Sequence, residues 1–271
     1  MLNGMNRPAS FLAASLAASL LPLAPASAQE YPSTDSIVQV QLLEGWRDAD
    51  GSHYAGIKIN LAPGWKTYWR APGDGGIPTH VSWEGSSNLK EAQIHWPRPG
   101  VFRTAGLRSV GYDESVVLPV HVDPETSGDI DAQLTLTLGV CKDICIPVRV
   151  TLDQTLPSEG AANIAMINGA LDTLPEKADA SLSCAIHTTD EGYRLSVSAM
   201  LPELDGRGET AVVELPGQDV WISEPVFDRD NDKISSTVRM VDFSESDQID
   251  LAALRMTVLT TTSAVELTGC N

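Results

Sequence analysis

The chain has 271 residues, 42% of them hydrophobic and 20% charged, with 18 Lys+Arg against 36 Asp+Glu for a formal net charge of −18. A surface this acidic favours neither nucleic acid nor anionic lipid, so neither is expected as a partner. The length suits two domains of about 100–130 residues, each with a core large enough to fold without a metal.

Residues 1–28 read as a secretory signal peptide. Arg7 is their one charge, an apolar stretch runs from Phe11 to about Leu23, and Ala26-Ser27-Ala28 has the small-x-small form of a cleavage site. Export would place a soluble remainder, starting near Gln29, in an oxidising compartment where disulfides persist. No cysteine follows the apolar stretch closely, so no lipid attachment is expected, and no later stretch approaches the roughly 20 apolar residues of a membrane span.

Beyond the signal, short alternating runs recur. IVQVQL (37–42), YAGIKINL (54–61), SVVLPVHV (115–122) and LTLTL (134–138) occupy the first half; YRLSVS (193–198), TAVVEL (210–215) and LRMTVLT (254–260) occupy the second. Period-two alternation offers one face of each strand to a core, and turn residues separate the runs. Between the halves, residues 158–171 are Ala-rich with near-helical apolar spacing, Ser158 as an N-cap and Pro175 as a stop. The predicted fold is therefore all-β, two tandem immunoglobulin-like β-sandwiches joined by a short helical linker. The domains fall at 29–156 and 179–271, with the linker at 157–178.

Cys141 and Cys145 lie between two strand-like runs, LTLTL before them and Ile146, Val148 and Val150 after. Left extended, their Cα atoms would be about 13 Å apart, beyond the roughly 4.4–6.8 Å of a disulfide, so bridging them requires a tight reversal. A ring so small stabilises by only about 2 kcal/mol, against about 4–5 kcal/mol for a loop of many tens of residues. Such a bond suits repeated opening better than architecture. A local clip on a hairpin, or two unrelated core thiols, are the alternatives. Lys142 favours a thiolate beside it and Asp143 opposes one.

Cys184 and Cys270 fall near the two ends of the second half, where a bond would close more than eighty residues and act as a structural staple. Pairing one cysteine of each half with the other half remains the alternative. His53, His80, His95, His121 and His187 are dispersed, without metal-ligand spacing, so neither a built metal site nor a cofactor is expected. Nucleophile-elbow, phosphate-loop and dinucleotide motifs are missing from the sequence.

Four motifs in order carry a resemblance: Gly64-Trp-Lys-Thr-Tyr-Trp-Arg-Ala-Pro-Gly-Asp-Gly-Gly-Ile-Pro78, Ile94-His-Trp-Pro97, Gly111-Tyr-Asp-Glu-Ser-Val-Val-Leu-Pro119 and Val140-Cys-Lys-Asp-Ile-Cys-Ile-Pro147. Together they resemble the N-terminal periplasmic domain of the thiol-disulfide interchange protein DsbD, closest to its ScsB-like (suppressor of copper sensitivity) branch. The resemblance is strong over residues 35 to 155, and ScsB-like proteins carry a second immunoglobulin-like domain.

The resemblance implies a periplasmic, protein-disulfide reductase-like relay. Cys141 and Cys145 would be reduced by a membrane-embedded thiol reductase and would reduce thioredoxin-like proteins through mixed disulfides. Phe102 matches the aromatic residue that shields the cysteines in that family, and Tyr112 follows it as an active-site neighbour. Gly100-Val101 stands where an acidic pair precedes the family's shielding ring, so a proton-handling role of those acids does not carry over. The family's multi-span membrane domain and thioredoxin domain are not in this sequence; if it is a natural full-length product, the donor is expected on a separate polypeptide. Two other classes compete: a copper-handling protein that uses the same thiols as Cu(I) ligands, and a non-catalytic adaptor of two sandwiches.

Overall fold

Alternation sets the architecture, and in the computed structural model it is followed through residues 33–104, 106–244 and 249–270. The signal peptide expected over residues 1–28 lies outside the described residues. A four-residue helix α1 (Thr34–Ile37) opens a first body, followed by β1 (Val38–Arg47), β2 (His53–Leu61), β3 (Lys66–Tyr68), β4 (His80–Ser82) and β5 (Glu91–Ile94). Next come β6 (Gly100–Thr104), β7 (Leu107–Asp113), β8 (Ser115–Asp123), β9 (Ile130–Cys141) and β10 (Cys145–Leu156). One sheet runs β1-β2-β8-β5; the other runs β10-β9-β3-β7-β6, with β4 added on β9.

β9 shows why the sheets stack. Its even positions Ile130, Ala132, Leu134, Leu136, Leu138 and Val140 are at most 2% exposed, whereas odd positions such as Asp131 and Thr135 face outward, as the pleat requires. Ile57, Leu118 and Val120 meet this row from the other sheet, and Trp69 is fully buried in the same cluster. Burial of one face of each sheet against the other stabilises the sandwich.

The connecting helix is shorter than its composition predicts. α2 spans Ile164–Leu171, behind Asn163 in the left-handed region at φ 57°. Ser158 is not its N-cap: the Ser158 N–H and hydroxyl both donate to Asp129 Oδ1 at 2.7 Å, and the Ala162 N–H donates to the Gly45 carbonyl. Those bonds tie residues 158–162 to the first body before a helical turn can form. Ile167 then buries completely, its side chain 3.1 Å from where a Cβ on Gly56 would stand.

A second body follows, with β11 (Glu176–Lys177), β12 (Ser183–Thr189), β13 (Gly192–Met200), β14 (Thr210–Glu214) and β15 (Val220–Ile222). β16 (Val226–Asp230), β17 (Lys233–Asp242), β18 (Arg255–Leu259) and β19 (Ala264–Thr268) complete it. Its sheets run β11-β19-β18-β14 and β12-β13-β17-β15, with β16 on β17. Leu195, Val197, Ile234, Val238, Met256 and Val258 form the core between them. The protein is thus mostly β, two sandwich-like bodies with a short helix between.

Both bodies belong to one compact unit. Val212, Leu259 and Ala264 of the second body join the buried cluster of the first. Arg70, stacked 4.0 Å from the Trp69 ring, reaches across to Glu214 at 3.0 Å and Glu266 at 2.5 Å. Among the described residues no helix is long and apolar enough to cross a membrane.

Candidate functional site

The reversal demanded by the cysteine spacing is the β9–β10 hairpin. Cys141 stands directly opposite Cys145 in the register, their Cα atoms 4.1 Å apart and their sulfurs bonded. The Lys142 N–H closes the turn on the Ile144 carbonyl at 3.0 Å. Being odd-numbered, Cys141 lies on the outer face of β9 together with Gly139, away from the sandwich core. It is nevertheless only 7% exposed, whereas Cys145 is exposed.

What covers Cys141 comes from β3. Lys66 pairs with Cys141 across the sheet, so Tyr68, two residues on, shares that outer face. The Tyr68 ring crosses β9 at Gly139, where a Cβ would sit 3.1 Å from Tyr68 Cε2 and 2.6 Å from Ile77 Cβ. Glycine at 139 is what lets the ring lie there. The Tyr68 hydroxyl donates to Cys141 Sγ at 2.7 Å, with Gly75 O at 3.3 Å and Cys145 Sγ at 3.5 Å. Burial pushes its pKa up, so it remains a proton donor where cysteine thiols ionise.

Lys66, Gly75, Leu107 and Ser109 wall a cavity of about 180 Å³ beside the two sulfurs. Phe102 lies in β6 opposite Ser109. Its ring folds back over Gly100 and carries Lys66 Nζ 5.2 Å from its centroid. Phe102 does not itself line the cavity; its ring meets the wall at Lys66, and its backbone pairs with the wall residue Ser109. Tyr112 is placed differently: paired with Thr67, it turns to the core face, 7% exposed, and donates its hydroxyl to the Pro97 carbonyl at 2.8 Å. Its link to the sulfurs runs through the backbones of β7 and β3, and burial pushes its pKa well up.

Tyr68 is the residue that sequence reasoning passed over. Its signal was available within the first motif, as the aromatic outward member, alongside Lys66, of Lys66-Thr67-Tyr68, and in a glycine two positions before the first cysteine. The other two cysteines are bonded to each other, Cα atoms 5.7 Å apart, linking β12 to the residues just past β19. Among the described residues no group of three or more His, Cys, Asp or Glu side chains is placed to hold a metal ion.

A hairpin-borne cysteine pair on an immunoglobulin-like sandwich, partly shielded by a neighbouring strand, is the arrangement that fits a protein of the thiol–disulfide exchange class. Residues 34–157 match the family model "Thiol:disulfide interchange protein DsbD, N-terminal", and this part of the chain belongs to that family. Among solved structures, the N-terminal periplasmic domain of ScsB from Proteus mirabilis is similar at 26% identity and a TM-score of 0.68, over 88% of this chain and 95% of that one. That match extends beyond the first body, as the ScsB-like resemblance led one to expect. No curated protein matches the chain.

Proposed function

We propose that this protein is a periplasmic thiol–disulfide exchange protein, passing electrons through Cys141 and Cys145 from a membrane-embedded thiol reductase to thioredoxin-like partners. The observation that carries this reading is the asymmetry of the pair. Cys145 is exposed, while Cys141 is 7% exposed and accepts the Tyr68 hydroxyl at 2.7 Å. An incoming thiolate meets the reachable sulfur and expels the one whose negative charge is better stabilised.

In the reducing half, a donor thiolate bonds Cys145 Sγ, the Cys141–Cys145 bond breaks, and Cys141 leaves as a thiolate facing Tyr68. The donor's second thiolate then attacks its own sulfur in the mixed disulfide and Cys145 leaves. The donor is oxidised to a disulfide, this pair has gained two electrons, and solvent supplies the protons. The oxidising half runs in reverse: the Cys145 thiolate attacks an acceptor disulfide, and Cys141 resolves the mixed disulfide.

Phe102 serves here as the shield of the reduced pair, and Tyr112 as the core-side support of β7. The Cys184–Cys270 bond is the staple of the second sandwich, because it closes a separation of 86 residues. Residues 1–28 act as the export signal, and the likeness to the periplasmic domain of ScsB supports that compartment.

Trapping tests the reading. Cys141→Ala leaves the exposed Cys145 without a resolving thiol, so mixing it with an oxidised thioredoxin-like protein should accumulate a mixed disulfide visible by mass spectrometry. Cys145→Ala should accumulate little. Equal adducts in the two variants, or none in either, would sink the relay; Cu(I) retention without adduct would point to metal handling instead.

A further inference from the structure

The cavity wall that faces the sulfurs is held from behind by the second body. Leu107 and Ser109 of β7 line the cavity. Arg108, between them, points the opposite way, because successive residues of a strand alternate faces. It is 3% exposed, and Nη2 donates to the Ala211 carbonyl at 2.8 Å and to Thr210 Oγ1 at 3.4 Å, both on β14. On the adjacent strand β6, Arg103 pairs with Glu224, between β15 and β16.

The grip continues into the turn that carries Gly75. The Glu224 N–H donates to Asp74 Oδ2 at 3.4 Å. The Gly75 N–H donates to the Arg108 carbonyl at 3.0 Å, and the Gly75 carbonyl lies 3.3 Å from the Tyr68 hydroxyl. One residue thus contacts the second body with its side chain and braces the Tyr68 turn with its backbone. Burying a guanidinium is costly, the more so here because Arg108 Nε is buried without a hydrogen-bond partner, and the two bonds of Nη2 offset part of that cost. The hydrogen bonds described for this one both end on the second body, so its position depends on that body being docked.

We infer that Arg108, assisted by Arg103 on Glu224, is a positioning residue through which the second body holds the β6–β7 wall against the Cys141–Cys145 pair and so sets how readily a reagent reaches the covered sulfur, Cys141. The inference rests on the exchange function proposed above. A residue that merely glued the bodies together would be interchangeable with other ties across the junction, such as Glu214 on Arg70.

The test uses the whole reduced protein and the rate at which a small alkylating reagent labels the covered Cys141, with the exposed Cys145 as the internal reference and melting temperature followed separately. Arg108→Met should accelerate labelling about tenfold, the effect of removing one charge-assisted hydrogen bond from the closed arrangement. Glu224→Arg should accelerate it about twofold to threefold, as befits a surface pair, and the swap Arg103→Glu with Glu224→Arg should restore the original rate. Glu214→Gln should leave the rate unchanged even where it lowers the melting temperature. A folded Arg108→Met at the parent rate would overturn the inference, as would Glu214→Gln matching Arg108→Met. Should Arg108→Met fail to fold, an unchanged rate in Glu224→Arg overturns it and acceleration with rescue by the swap sustains it. Exchange with a thioredoxin-like protein on the same samples separates the two claims: an inactive parent sinks the function, whereas an active parent with an unresponsive Arg108→Met sinks this inference alone.

Discussion

Tyr68 holds one hydroxyl proton and three acceptors lie within its reach: Gly75 O, Cys141 Sγ and Cys145 Sγ. A disulfide sulfur accepts weakly, whereas a thiolate accepts strongly, so the bond to Cys141 gains most at the moment Cys141 leaves. Tyr68→Phe should therefore slow reduction of the disulfide by a dithiol about tenfold, the loss of one hydrogen bond to a charged group, with the circular dichroism unchanged. An unaltered rate would make Tyr68 a packing residue. His53 offers a separate test, since it is fully buried and burial lowers its pKa below the ordinary 6.5. Below pH of about 6.5 the unfolded chain then binds more protons than the folded one, so this contribution to stability is full above that pH and declines as pH falls through the folded value. The melting temperature should drop between pH 7 and 5, and His53→Gln should flatten the drop. A parallel drop in the variant would assign the acid sensitivity elsewhere.

At the scale of elements, the hairpin and β3 act as one device because β9 has no side chain at 139. Gly139→Ala would set a Cβ 2.6 Å from Ile77 Cβ and 3.1 Å from the Tyr68 ring. The ring must move off the sulfur. Exchange should slow about as much as in Tyr68→Phe, and the double variant should be no slower than either single one, because both changes remove the same contact. Additive slowing would mean that Gly139 acts by another route. The long strands were legible beforehand because alternation over five or more residues is a local property: residues 134–138 read as strand and lie within β9. β3 was not, since three residues carry too little periodicity to declare a strand. The linker misled for a related reason. Its Ala-rich composition favours helix from Ser158 onward, but Asp129 and Gly45 on the first body take its early hydrogen bonds.

Across the whole molecule, the two disulfides differ in what they close. The sequence separation is 4 for Cys141–Cys145 and 86 for Cys184–Cys270. On the loop-entropy estimate the first contributes about 2 kcal/mol and the second about 4–5 kcal/mol. Cys184→Ala should accordingly lower the melting temperature of the second body while exchange persists, and Cys141→Ala should abolish turnover with a smaller thermal cost. In a mild glutathione buffer, differential alkylation should label Cys145 and Cys141 before Cys184 and Cys270. Labelling in the opposite order, or equal thermal losses, would favour a structural clip at the hairpin. The second body's staple therefore matters to the first: Arg108 and Arg70 anchor the first sandwich on β14 and β19, the strands that the second body's core and disulfide keep in place.

By itself the sequence determined what depends on neighbours along the chain: alternating strands, hence two sandwiches; a cysteine pair that can close only at a turn; and a motif order that names the family of residues 34–157. The tertiary structure decided what depends on sheet order. It buries Cys141 and exposes Cys145, turns Tyr112 to the core, and delivers the Tyr68 hydroxyl to a sulfur 73 residues away. It also sets Arg108 against a carbonyl 103 residues distant. Period and propensity act over a few residues, whereas the partner that a strand finds across a sheet follows from which whole faces can be buried together, and that is a property of the folded chain.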